Sequence, residues 1–448
     1  MSQTSDDTPW KGVYDRFERE VPAWYREAKL GIFVHWGAYA VPAWAEPIGE
    51  LGTFDGGHWM RHNPYAEWYA NTIRLEGSPA RQHHQEVHGG APYDDFLDAW
   101  RAEEFDADAV VALFARAGAR YVVPTTKHHD GITLWDAPGT GDRNTVRRGP
   151  RRDLVGAFAT AARSAGLRFG VYYSGGLDWW ASDFPALDGI DFSDRRPVDE
   201  AYAAYAHGHV RDLVERYRPD VLWGDIEWPD AGKPEGPHSV ANLLDLFYAA
   251  APEGVVNDRF GTTHHDFRTS EYQAGLENEA GGAWENCRGV GYSFGYNQVE
   301  DASHYMDGPA AVRHLLDVVS RGGNLLLNVG PDAAGRIPDL QRWCLEQLGD
   351  WMELNSAAVH GTRPVPEAVA RPCDAPWVRW TQAAGRLHAV VDATGSVRLP
   401  LSAAAVDPGT GRTAEGTAVV AEVDGADVVV DVPAPTVPGP VVLTWDLR

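Results

Sequence analysis

The sequence predicts a (β/α)8-like (TIM) barrel over residues 1–358, followed by a small C-terminal antiparallel β-sandwich over residues 359–448. Two observations predict the barrel. From Phe105 to Asn355, short apolar runs of strand length alternate with amphipathic helices, the pattern of parallel βαβ units. Several of these runs end in His, Asp, Tyr or Arg, and a barrel carries its site where its strands end. A third observation predicts the sandwich. After Val359 the helical period is lost, and valine-rich runs are separated by Gly, Pro and Asp.

The elements follow in order. Residues 1–25 read as a polar lead-in and a helical stretch. Leu30-Gly-Ile-Phe-Val-His35-Trp36 is a buried strand with a polar end. Residues 38–100 are rich in Gly, Pro, His and Trp and read mostly as loop. A loop of that length inside a compact domain is usually functional. Ala107 to Ala117 is a helix, stopped by Gly118. Tyr121 to Thr125 is a strand leading into Lys127-His128-His129-Asp130. A helix from Asp153 to Ala165 precedes the strand Leu167 to Ser174. The helix Pro197 to Tyr217 precedes Val221-Leu-Trp-Gly-Asp225, an apolar run delivering an acid between tryptophans. Ser239 caps a helix to Ala251, and Val255 to Arg259 is the next strand. Regularity weakens from Gly261 to Asn297. A helix over Pro309–Ser320, a strand over Asn324–Pro331 and a helix over Pro338–Asn355 complete the barrel.

Composition narrows the function. The formal charge is −25, which argues against nucleic acid and anionic membranes as partners. Cys287, Cys344 and Cys373 are widely spaced and form neither a metal finger nor a disulfide framework. The N-terminus shows no signal-peptide pattern and the chain has no long apolar run, so a cytoplasmic location is expected. Eighteen tryptophans supply flat faces of the kind that stack on sugars.

The strand ends carry the chemistry. Asp225 is the candidate nucleophile; the competing reading is a turn or cap aspartate. A glycosidase needs a second carboxylate across the bond. The candidates are Glu67, Glu227, Glu271 and Glu285. Glu271 is expected on a flexible loop able to swing over a sugar ring. His128 and His129 would point to opposite sides of a strand, which argues against a shared metal ion. No metal or other cofactor is expected.

Together these segments resemble the α-L-fucosidases of glycoside hydrolase family 29. The resemblance rests on Lys29-Leu-Gly-Ile-Phe-Val-His-Trp-Gly37, Glu67-Trp-Tyr-Ala-Asn71, Lys127-His-His-Asp-Gly-Ile-Thr-Leu-Trp-Asp136, Gly170-Val-Tyr-Tyr-Ser174, Leu222-Trp-Gly-Asp225, Asn257-Asp-Arg259, Ser293-Phe-Gly-Tyr-Asn297 and Gly322-Gly-Asn-Leu-Leu-Leu-Asn-Val-Gly-Pro331. It implies a retaining exo-glycosidase that removes terminal α-L-fucose from oligosaccharides or glycosides through a covalent fucosyl-enzyme. Asp225 matches the nucleophile. Glu271 matches the general acid/base, the family's most variable position. His35, Glu67, Trp68, His128, His129, Tyr172 and Arg259 match residues that bind hydroxyls and frame the nucleophile. Trp223 and Phe294 match aromatic contacts near the C5 methyl. Strand alternation allows only one of Tyr172 and Tyr173 to face inward. Two rival readings are a retaining glycosidase of another specificity, such as a galactosidase, and a non-catalytic carbohydrate-binding relative. Linkage preference and oligomeric state stay open.

Overall fold

The computed structural model describes residues 10–448 apart from 51, 54–55, 182–183, 190, 192–194, 274–281 and 426. The reading of the first nine residues as a lead-in without a signal peptide therefore lies outside the described residues.

Eight parallel strands form the barrel wall: β1 (Leu30–Val34), β2 (Tyr121–Lys127), β3 (Arg168–Ser174), β4 (Val221–Asp225), β5 (Val255–Val256), β6 (Phe267–Glu271), β7 (Ala283–Gly289) and β8 (Asn324–Val329). Their hydrogen-bonded order is β5-β4-β3-β2-β1-β8-β7-β6. The ring is closed between β5 and β6 by a single parallel bridge, Asn257 to Phe267. Side chains reinforce that seam. Asp266 accepts the Val256 amide at 2.9 Å, and Asp258 accepts the Thr269 amide at 3.1 Å.

Alternation along each strand separates two cores. Phe33, Tyr121, Val123, Tyr172, Val221 and Trp223 fill the barrel interior. Ile32, Val34, Val122, Val171, Tyr173 and Leu222 pack outward against the helices. At Gly31 a Cβ would lie 2.4 Å from the Tyr121 ring, so only glycine leaves that ring its place inside. The helices that cover the wall start at capped ends. Asp106, Asp153, Asp199, Ser239 and Asp307 each accept a backbone amide at the start of Ala107–Arg116, Leu154–Ser164, Glu200–Tyr217, Val240–Ala250 and Gly308–Val319. Asp339–Asn355 is the last of them.

Three expectations change. Residues 38–100 are less irregular than their composition suggests. They include the helices Pro79–His88, capped by Ser78, and Asp94–Ala99. The weakly patterned stretch after Gly261 contains both β6 and β7. The ladder of β5 covers only Val255–Val256 and does not run on to Arg259.

The C-terminal strands form two antiparallel sheets, one of six strands and one of three. Trp380, Trp445, Val397, Val428 and Val430 fill the space between them. The sandwich meets the barrel through Trp351, whose indole donates to the Pro440 carbonyl at 2.8 Å. Among the described residues, no helix is long and apolar enough to cross a membrane.

Candidate active site

A cavity of about 420 Å³ opens at the C-terminal ends of the strands. All eleven residues singled out from the sequence line it: His35, Glu67, Trp68, His128, His129, Tyr172, Trp223, Asp225, Arg259, Glu271 and Phe294.

Asp225 ends β4 and is held from three directions. Tyr172 donates to Oδ2 at 2.7 Å, while Arg259 Nη1 and the Ile226 amide each reach Oδ1 at 2.9 Å. The chain turns immediately after it, with Ile226 at φ 63° and Glu227 at φ 114°. A β-branched residue at positive φ is costly, and such strain persists only where the surroundings enforce it. Here it returns the Ile226 amide to the carboxylate of the preceding residue.

Glu271 is the last residue of β6, paired in register with Cys287. It therefore sits on a strand end and not on the swinging loop expected from the sequence. Its Oε1 accepts from the Tyr65 hydroxyl at 3.0 Å and its Oε2 from Arg259 Nη2 at 3.2 Å. One guanidinium thus spans both carboxylates. Burial opposes the charge of Arg259, but its acidic neighbours, Asp225 foremost, together outweigh burial and hold the guanidinium well above its ordinary value. Its carbon lies 4.7 Å from the Trp223 ring centre.

The other two candidate carboxylates lie away from the cavity. Glu227 turns toward Lys233 and Arg196, with Arg196 at 3.7 Å. Glu285 is sealed beneath the floor, accepting from Tyr25 at 3.0 Å, from Trp223 at 2.9 Å and from Tyr121. Burial pushes it up to about 7. Glu67 does line the cavity. It accepts from the Gly295 amide at 2.7 Å and from Ser293 Oγ at 3.2 Å, and burial pushes it up to about 7.

The histidines are neutral hydrogen-bonding groups. Burial pushes His35 down to about 4, and His128 and His129 well below their ordinary value. Their tautomers follow from their neighbours. Asn328 donates its amide N–H to the Phe294 carbonyl at 2.7 Å, so its oxygen must accept from His35 Nδ1, also at 2.7 Å. Ser174 donates to the Leu177 carbonyl at 2.9 Å, so its oxygen accepts from His129 Nδ1 at 2.7 Å. Each neutral ring therefore keeps a bare Nε2 lone pair, able to accept a hydroxyl proton. His128 Nδ1 is buried with no hydrogen-bond partner among the described residues.

His128 and His129 follow β2 and do not belong to it. Their ring centres are 3.9 Å apart and both face the cavity, so strand alternation does not separate them. Among the described residues, no group of three or more His, Cys, Asp or Glu side chains is arranged to hold a metal ion. Tyr172 faces the cavity, whereas Tyr173 packs outward with its hydroxyl 3.1 Å from His209 Nδ1.

Tyr65, Ile226, Cys287, Trp59 and Met60 also line the cavity and were missed in the sequence. Tyr65 stands two residues before Glu67 in an aromatic-rich segment, and nothing local distinguishes it from a core tyrosine.

The whole arrangement suits a small polyol with one apolar edge. Polar groups line the cavity, and the Trp223 and Phe294 rings lie among them as apolar surface.

The α-L-fucosidase family model matches residues 3–357. The α-L-fucosidase of Dictyostelium discoideum is 32% identical over 355 residues, 77% of this chain and 73% of that protein. Human tissue α-L-fucosidase is 33% identical over 356 residues, 77% of this chain and 70% of that one. The crystal structure of Thermotoga maritima α-fucosidase in complex with fucose superposes with a TM-score of 0.85 at 40% identity, covering 97% of this chain and 99% of that one. With its barrel, its pocket and these relatives in view, the chain belongs to the α-L-fucosidase family of glycoside hydrolases.

Proposed function

We infer that the chain is a retaining exo-α-L-fucosidase acting on fucosylated oligosaccharides or glycosides. One observation carries the mechanistic reading: Asp225 and Glu271 face the same cavity and are gripped by the two ends of the Arg259 guanidinium. Retention requires two carboxyl groups close together across the glycosidic bond.

In this reading, ionised Asp225 attacks the anomeric carbon, and Glu271 gives a proton to the leaving oxygen. Glu271 then takes a proton from the water that releases α-L-fucose. Tyr172 and the Ile226 amide aim Asp225 so that attack needs little reorganisation. His35 and His129 accept protons from ring hydroxyls through Nε2, Glu67 accepts a further one, and the aromatic wall covers the C5 methyl. The Thermotoga maritima relative crystallised with fucose supports the choice of sugar.

The test is release of 4-nitrophenol from 4-nitrophenyl α-L-fucoside by the wild type and by Asp225→Gly, with and without azide. The expected result is loss of activity by about a thousandfold or more in the variant. Azide then restores turnover and gives β-L-fucosyl azide, the product of direct attack from the face that Asp225 vacates. Undiminished turnover by Asp225→Gly, or rescue to the α-azide, overturns the assignment.

A further inference from the structure

A second cavity, of about 680 Å³, lies at the opposite end of the barrel. Lys29, Asp266, Ala283 and Asn324 line it, and these residues stand just before or at the start of β1, β6, β7 and β8. The cavity is therefore at the floor, away from the pocket.

Lys29 is one of only four lysines in the chain, and it is 3% exposed. Its ammonium makes one long hydrogen bond, 3.4 Å to the Gly322 carbonyl, and no ion pair among the described residues. An ammonium has three protons to place, and burying one so sparsely bonded is costly. Of the charges that act on it, Arg363 repels it and Glu27 attracts it. Asp266 does not serve as its counter-ion. That carboxylate already accepts from Arg19 at 2.9 Å, from Tyr248 at 2.8 Å and from the Val256 amide. Burial pushes the neighbouring His360, bonded to the Ala28 carbonyl at 2.8 Å, down to about 4, so it is neutral and adds no charge. Arg26, Lys29 and Arg363 line the cavity together with Glu20 and Glu27. Burial and Arg363 together push Lys29 down to about 8.

We propose that this floor cavity binds a small inorganic oxyanion of the phosphate or sulfate class, held by Lys29 with Arg363 and Arg26 as further donors. Such an anion satisfies the free protons of Lys29 and relieves its repulsion with Arg363. It also ties β1 to Arg363 in the first C-terminal strand, Arg363–Pro364. A ligand bound to the folded chain alone stabilises it in proportion to the logarithm of ligand concentration.

The test is thermal unfolding of the full chain in increasing phosphate, with NaCl holding ionic strength constant. Wild type, Lys29→Met, Arg363→Gln and Arg26→Gln are compared. Arg363 and Arg26 are exposed, so their removal leaves packing intact and keeps the test valid if Lys29→Met fails to fold. The expected result is a wild-type Tm that climbs with phosphate. In each variant, roughly tenfold more phosphate is needed for the same rise. The climb persists with saturating L-fucose in the pocket, and sulfate reproduces it. General exclusion of phosphate from protein surfaces raises all four proteins alike. Equal slopes in wild type and variants therefore overturn the proposal, as does a response that L-fucose abolishes.

Discussion

Tyr65 donates its hydroxyl to Glu271 at 3.0 Å across 206 positions of sequence. Arg259 holds the other oxygen of the same carboxylate at 3.2 Å. The two donors fix where the carboxylate stands. Tyr65→Phe removes one of them without changing the ring. The expected outcome is a fall in kcat of roughly tenfold, one hydrogen bond to a charged group, with KM little changed. Steady-state kinetics on an aryl fucoside measures both. A variant with wild-type kcat would remove Tyr65 from any positioning role.

Glu271→Ala should separate the two chemical steps. An aryl fucoside with an acidic leaving group needs little protonation, so the fucosyl-enzyme still forms and its hydrolysis becomes slow. Azide then accelerates turnover and gives α-L-fucosyl azide with retained configuration, opposite to the product from Asp225→Gly. Product analysis by NMR distinguishes the two azides. The β-azide from Glu271→Ala would show that Glu271 is not the acid/base.

The His128 imidazole lines the cavity. If it bonds a ring hydroxyl of the substrate, His128→Ala lowers kcat/KM by roughly ten- to a hundredfold. The deoxyfucoside lacking that hydroxyl loses nothing further in the variant. A double-mutant cycle over the deoxyfucoside series measures this, and additive losses for every hydroxyl would exclude the contact.

The wall formed by Trp223 and Phe294 bears on specificity. α-L-Galactoside carries a hydroxyl where fucoside has only the methyl, and an apolar slot leaves that hydroxyl unpaired at a cost of about 1–3 kcal/mol. Phe294→Ser offers it a partner. The ratio of kcat/KM for fucoside over galactoside should narrow by roughly tenfold. An unchanged ratio would place the methyl elsewhere.

Stability should fall as pH rises through neutrality. Burial pushes Glu67 and Glu285 up to about 7 and Glu300 to about 8. Unfolded glutamates titrate near about 4.3, so across this range the folded chain holds protons that the unfolded chain has released. The buried histidines act in the other direction. Burial pushes His35 down to about 4 and His209 to about 3, so they cost stability only below about pH 6.5, where the unfolded rings charge. Between about pH 6.5 and 7.5, below the range where folded Lys29 at about 8 releases its proton and acts in the opposite direction, the carboxyls decide, and the unfolding free energy measured in urea declines. Glu300→Gln flattens the decline by up to about 1.4 kcal/mol per pH unit. A flat or rising wild-type curve would contradict this reading of the buried acids.

The features legible in the sequence were those where burial and local pattern agree. The strand ending at Asp225 is apolar and wholly buried, and its acid follows at once. The helices over Ala107–Arg116 and Leu154–Ser164 combine an amphipathic face with an aspartate cap. β6 and β7 were not legible for opposite reasons. Phe267–Glu271 is half-buried and polar because one edge faces the thin seam. Ala283–Gly289 is mostly buried yet carries Glu285, Asn286 and Arg288. Those residues are tolerated only because partners distant in sequence satisfy them. Tyr25 and Tyr121 serve Glu285, His314 serves Asn286, and Glu50 serves Arg288. No local pattern announces such partners. Tyr65 stayed hidden for the same reason, since its meaning lies in a carboxylate on another strand.

The seam between β5 and β6 has a consequence for how chemistry and architecture are shared out. Seven neighbouring strand pairs are joined by backbone ladders, but here the stitching passes to side chains. At its upper end the stitches are Arg259 to Thr269 at 3.0 Å and Arg259 to Glu271. The groups that would cleave the substrate are thus also the rivets of the wall. In most enzymes, reactive groups are a burden on the fold, and removing them steadies it. In this barrel that bargain runs backwards: Arg259 and Glu271 also contribute bonds across the seam between β5 and β6.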